Sequence, residues 1–174
     1  MASRRRETVE DDNPGLYFTK PTTECFSSGC TLLDLALGGG WAENRIINVV
    51  GDKSSGKTFL AIQACTNYHL KYENDDIFYA EVEAAFDPEY AGALGMPVSA
   101  VTFVPDIFAV EDLFEDLDNR IKSMKKGKRA LYVVDSLDAL SDRAETGRAI
   151  DEGSYGANKA KQLSELFRRL NAKC

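Results

Sequence analysis

The chain has 174 residues, 44% hydrophobic and 28% charged, with a formal net charge of −7. That length suits one domain with its own core and is short for two, and the acidic balance excludes a uniformly basic, nucleic-acid-coating surface while leaving room for a local basic stripe. No apolar run approaches the ~18 residues a membrane span needs, and the start MASRRRE leads into TVEDDNPG, which is not a secretory signal.

Residues 1–22 mix charge runs with Pro14, Gly15 and Pro21 and read as a flexible N-terminal arm, with 23–174 forming the domain. Leu32, Leu33, Leu35, Ala36 and Leu37 predict a short buried helix that stops at Gly38-Gly39-Gly40. Arg45–Val50 (RIINVV) has the continuous apolar character of a fully buried parallel strand. A helix follows over Gly56–Tyr72, a strand over Ile77–Val82, a short helix over Pro88–Leu94 ended by Gly95, and a strand over Val101–Val104. Val110, Leu113, Phe114, Leu117, Ile121 and Met124 recur at helical spacing and predict a helix over 110–126, acidic at its start (Glu111, Asp112), basic at its end (Lys125, Lys126) and stopped by Gly127. Ala130–Val134 is a fourth buried strand, 141–156 a polar loop, and 157–172 a helix burying Leu163, Leu166, Phe167 and Leu170. Strands alternating with helices predict an α/β fold, a mostly parallel sheet between helical layers. The four cysteines, Cys25, Cys30, Cys65 and Cys174, have no C-x-x-C or zinc spacing and read as reduced thiols of a cytoplasmic protein. His69 lies in a helical stretch without ligand partners.

Between the first strand and its helix stands Gly51-Asp52-Lys53-Ser54-Ser55-Gly56-Lys57-Thr58, a match to the phosphate loop G-x-x-x-x-G-K-[ST] in the strand–helix setting that gives it meaning. Glycines let the backbone curl so that successive N–H groups face phosphate oxygens, and the helix N-terminus adds its dipole. Lys57 then faces the β and γ phosphates and the Thr58 hydroxyl a magnesium ion, so the expected ligands are ATP and Mg2+. Asp135, just past the strand Ala130–Val134, is the expected magnesium acid, through water. Two acids, Glu81 and Glu83, alternate onto one face at the end of the second strand; either could polarise an attacking water, and spacing does not choose between them. Asp87 before Pro88 reads equally as a helix cap.

At these elements the chain resembles the RecA-type recombinase ATPases across most of residues 23–172. TTECFSSGCTLLDLALGGGW is similar to the family's entry segment, GDKSSGKTFL to its phosphate loop, YAEVEAAFDPEYAGALG to its glutamate segment with the distinctive D-P-x-Y-A ending, and VVDSLDAL to its magnesium-aspartate strand. The resemblance implies a P-loop, RecA-like core in which Glu83 is the catalytic glutamate and Asp87 and Tyr90 lie at the adenine. GSYGANKAKQLSELFRRL is similar to the region where the family's first DNA-binding loop enters a helix, which places Tyr155 where a loop residue inserts between bases. An aromatic beside glycines, followed by Lys159 and Lys161, suits stacking and phosphate contact with a single strand. The implied activity is a single-stranded-DNA-dependent ATPase of recombination and repair, a homo-oligomer or filament with ATP between subunits.

The resemblance is partial. The N-terminal arm differs from the family's bacterial N-terminal helix, as expected of a divergent or phage-borne member. The family also continues into a further strand bearing a γ-phosphate-sensing glutamine, a second DNA loop and cross-subunit lysines. The expectation is therefore a core truncated before the sensor strand, with a slot in the sheet that a complementing C-terminal segment, a partner strand or a closing of the four strands would fill, and with negligible hydrolysis by the isolated chain. Two alternative readings are a non-catalytic ATP-binding assembly module and a RecA-like ATPase acting on protein partners.

Overall fold

The computed structural model describes residues 24–143 and 156–171; the expected N-terminal arm and most of the 141–156 loop lie outside them. Two short strands come first, β1 (Cys25–Phe26) and β2 (Trp41–Ala42), paired antiparallel with Cys25 opposite Ala42 and Phe26 opposite Trp41. Between them runs α1 (Thr31–Leu37), closed by Gly38 at φ 76°. The return to β2 passes through Gly40, where φ is 110° and a Cβ would stand 2.2 Å from the Phe26 carbonyl oxygen. Only glycine lets the two strands approach this closely.

The main body alternates as expected: α2 (Lys57–Lys71), β3 (Asp76–Glu81), α3 (Pro88–Ala93), β4 (Val101–Phe103), α4 (Val110–Ser123), β5 (Ala130–Asp135) and α5 (Gly156–Asn171). The sheet is parallel in the order β4-β3-β5. Ile77 stands beside Val101 and Leu131, and the β3–β5 register runs from Asp76 with Ala130 to Glu81 with Asp135. Successive strand residues point to opposite faces, and each face is covered. Ile77 and Tyr79 pack with Ile62, Cys65 and Tyr68 of α2 and with Ala91 of α3, continuous with Phe26 and Trp41 of the small sheet. Ala80 packs with Val110 and Leu113 of α4, with Leu140 beyond β5 and with Leu166 of α5. Ile62, Ile77 and Leu113 are almost fully buried, and each such burial contributes roughly 1.5–3 kcal/mol. Burial pushes the Cys65 thiol up to about 12, so it behaves as a small core hydrophobe.

Three sequence expectations are corrected. The sheet has three strands among the described residues, not four, because residues 46–50 take no regular structure. β5 pairs with β3 alone; with no strand beside 45–50 its N–H and C=O groups have no ladder to join, and its apolar side chains stand in solvent, Val50 at 85% exposure. The first helix forms where expected but is not buried. Leu33 packs against the core while Leu32 and Leu35 are 78% and 74% exposed, since seven residues present one side only to the body. Helix α4 ends at Ser123 rather than 126. Ser123 Oγ donates to the Arg120 carbonyl and Met124 is extended, so Arg120 and Lys122, not Lys125 and Lys126, are the cations of its last turn.

Candidate functional site

The segment 51–56 curls as its glycines and serines allow. Ser54 has φ 61° and Gly56, the cap residue just before α2, φ 93°. At Gly51 a Cβ would lie 2.6 Å from Ser55 Oγ. The Ser55 amide donates to the Asp52 carbonyl at 3.2 Å. Lys57 folds back over this loop, its Nζ donating to the carbonyls of Gly51 at 2.9 Å and Asp52 at 2.8 Å. The first turn of α2 holds no acid, while its last turn holds His69 and Lys71. The unbonded amides and positive dipole end of a 15-residue helix thus meet no carboxylate of that turn, and an ammonium is folded over them. This is an electropositive helix start suited to phosphate. Gly51, Asp52, Lys53, Ser54, Ser55 and Thr58 are exposed.

A second cluster forms at the C-terminal ends of β3 and β5. The Val82 amide donates to the Asp135 carbonyl at 2.8 Å, extending the ladder past Glu81. Ser136 Oγ donates to Glu83 Oε1 at 2.6 Å. Tyr79 Oη donates to Asp135 Oδ2 at 2.9 Å; burial, then the Asp135 carboxylate, push the Tyr79 phenol well above its ordinary value, so the tyrosine is a donor at any working pH. Glu81 and Glu83 do not share a strand face. β3 ends at Glu81 and the chain turns, with Ala84 at φ 54°. Glu81 Oε1 accepts from the Ala85 amide at 3.0 Å and steadies that turn, whereas Glu83 is exposed and bonded to the residue after Asp135. The two acids therefore hold different positions, a distinction strand periodicity could not make.

Asp87 caps α3, its Oδ1 accepting from the amides of Glu89 at 2.9 Å and Tyr90 at 3.0 Å; the Tyr90 ring is exposed. Among the described residues there is no group of three or more His, Cys, Asp or Glu that could hold a metal. The Thr58 hydroxyl and the Asp135 carboxylate are oxygen donors, and one hydroxyl with one carboxylate fits a hard cation that keeps its remaining positions for phosphate and water, as magnesium does.

Tyr155 lies outside the described residues. Lys161 is exposed, and Lys159 is turned inward, Nζ donating to the Asp138 carbonyl at 2.9 Å. Both flanks of 144–155 are tied to the start of α4. Arg143 pairs with Asp112 at 2.7 Å and Glu115 at 2.9 Å, and Gln162 donates to Glu111 at 2.6 Å. Sequence reading singled out neither Arg143 nor Ser136 nor Tyr79. Ser136 adjoins the assigned aspartate and was within reach of pattern; Arg143 and Tyr79 become visible only when register and packing are known.

A parallel three-stranded sheet covered on both faces, with acids at the ends of β3 and β5, defines a mixed α/β protein. Residues 17–174 match the family described as the RecA N-terminal domain. The chain is 35% identical over 153 residues to Protein RecA of Prochlorococcus marinus (strain NATL1A), covering 87% of this chain and 38% of that protein. It is 36% identical over 149 residues to DNA repair protein recA homolog 1, chloroplastic, of Arabidopsis thaliana, covering 85% of this chain and 32% of that one. Protein RecA of Streptomyces venezuelae is 33% identical over 156 residues, with 88% and 39% covered. This chain belongs to the RecA family, and it spans about two fifths or less of the length of these relatives.

Proposed function

We propose that this chain binds ATP with magnesium and acts, as part of a DNA-borne assembly, in single-stranded-DNA-dependent ATP hydrolysis for recombination and repair. The observation that carries the reading is the loop at 51–57, glycine-shaped at both ends, closed by Lys57 and set at the start of a helix whose first turn lacks acid. Triphosphate takes over the Lys57 ammonium from the Gly51 and Asp52 carbonyls, exchanging neutral acceptors for charged ones, and such hydrogen bonds are roughly twice as strong. Thr58 and Asp135 are the residues that would hold magnesium, whose part is to neutralise the charge on the phosphates. Glu83, exposed and held by Ser136, is the base that orients and deprotonates the attacking water. Asp87 and Tyr90 form the adenine side, with the Asp87 carboxylate fixed by its own cap. Tyr155 and Lys161 supply stacking and charge to a single strand, with Lys159 bracing the base of that helix.

Support for the recombination role comes from family membership and from the relatives, one of which is named for DNA repair. The proposed site of action is the cytoplasm, and no helix among the described residues is long and apolar enough to cross a membrane. The test is ATP binding by calorimetry together with phosphate release with and without single-stranded DNA. Lys57→Ala is expected to abolish triphosphate binding while leaving the circular dichroism spectrum unchanged. Equal ATP affinity in both proteins removes the nucleotide assignment. Release that does not respond to DNA in an assembly that hydrolyses ATP removes the DNA role.

A further inference from the structure

The hydroxyl of Tyr79 has no packing purpose. Its ring is 0% exposed at the centre of the sheet, walled by Phe86 at 5.1 Å and Phe103 at 5.8 Å between ring centroids. A phenylalanine would fill the same space. A buried phenol needs an acceptor, and this one has Asp135 Oδ2 at 2.9 Å. Register explains the reach: Tyr79 stands beside Val133 in the β3–β5 ladder, and Asp135 follows two residues on, on the same face. The ring therefore lies along that face with its oxygen at the carboxylate. Phe86 and Phe103 also touch one another, at 5.0 Å, so the donor is fixed by an aromatic cluster rather than carried on a mobile arm.

We infer that Tyr79 is a positioning residue for magnesium-dependent nucleotide binding: it holds the Asp135 carboxylate in one orientation by engaging Oδ2 and leaves Oδ1 to face the cation's water. The inference rests on the reading above that Asp135 serves that cation. Partners that orient a metal-binding carboxylate typically cost about 10–100-fold in metal affinity when removed. A partner acting on a ligand that meets the metal through water belongs at the low end, about tenfold.

The experiment measures ATP affinity by calorimetry in EDTA and across a magnesium chloride titration, for wild type, Tyr79→Phe, Asp135→Asn and the double variant. Tyr79→Phe is expected to raise the magnesium concentration at half effect by about tenfold and to leave ATP affinity in EDTA unchanged. In the Asp135→Asn background it should add nothing further. An equal loss with and without magnesium would mean that the tyrosine only supports the fold, and it overturns the inference. A magnesium midpoint unmoved by Tyr79→Phe but raised by Asp135→Asn overturns it too, while leaving the role of Asp135 standing. A midpoint unmoved by Asp135→Asn removes that role and the inference with it. Thermal melts of all four proteins identify any variant that fails to fold; if Tyr79→Phe is one, Phe103→Leu, which loosens the ring without touching its hydroxyl, must raise the midpoint or the inference falls.

Discussion

At the scale of single residues, the two acids of the glutamate segment show how far a sequence pattern carries chemistry and where it stops. Glu81 and Glu83 are two apart, and an uninterrupted strand would point both the same way. The strand instead ends at Glu81, which spends its carboxylate on the Ala85 amide, while Glu83 reaches Ser136 beyond β5. Glu83→Gln is expected to keep ATP and magnesium binding and to lower hydrolysis in the active assembly by about 10²–10⁴-fold, the usual worth of a positioned base. The amide preserves shape and the serine bond but takes no proton. Glu81→Gln should cost less, because an amide oxygen still accepts from Ala85. Single-turnover rates of the two variants decide the matter, and a larger loss at Glu81 reverses the assignment. The curl of 51–56 was legible because it is local backbone shape, with Ser54 and Gly56 at positive φ, which sequence encodes directly. Tyr79 was not, because its hydroxyl meets a residue 56 positions away.

Whole elements were legible to the extent that their stability is local. Helix α4 declares itself through spacing, and its start is fixed by Asp112, whose Oδ2 accepts from the amides of Ala109 at 2.9 Å and Phe108 at 3.2 Å. Burial pushes the Asp112 carboxyl up, but Arg143 and these amides outweigh it, so it sits below the ordinary value of 3.8. A folded-state value below the unfolded one stabilises fully above the unfolded value and is lost as pH falls through the folded one. Asp112→Asn should therefore lower Tm at pH 7, with the gap to wild type closing below about pH 4; a gap that stays constant to pH 2.5 contradicts this account. The segment 45–50 is the opposite case. Its apolar run reads as a strand, yet a strand is defined by its neighbours, and β5 offers it none among the described residues. Hydrogen exchange should find the amides of 46–50 unprotected while those of Ile77–Tyr79, paired on both sides, exchange slowest. Comparable protection in both segments would show that 45–50 does join a sheet in solution.

For the whole molecule, charge limits how DNA can be held. A chain with net charge −7 repels a polyanion on average, so the proposed DNA binding must be concentrated where aromatic and cationic groups meet. Seven of the fifteen lysines and arginines among the described residues sit in ion pairs, Arg120 with Asp116 and Lys128 with Asp75 among them. Arg129 pairs with Asp75 and Glu24, Lys71 with Glu43, Lys122 with Asp118, Arg143 with Asp112 and Glu115, and Arg169 with Glu165. Such internally matched charge adds little to a DNA field beyond a Debye length of about 8 Å at physiological salt. The proposed grip therefore leans on stacking more than on phosphate neutralisation. Its signature would be weak salt dependence with strong dependence on one aromatic. Tyr155→Ala is expected to weaken single-stranded DNA binding by about 1–3 kcal/mol, the usual loss for a stacking side chain, with ATP affinity in the absence of DNA unchanged. Lys161→Ala should lower the slope of log affinity against log salt by only about 0.7, one phosphate on a single strand. Fluorescence anisotropy with a labelled oligonucleotide over a salt series measures both. A steep slope that survives Tyr155→Ala would mean that DNA is held by a basic surface elsewhere in the assembly, and Tyr155 would then carry no part of the recognition.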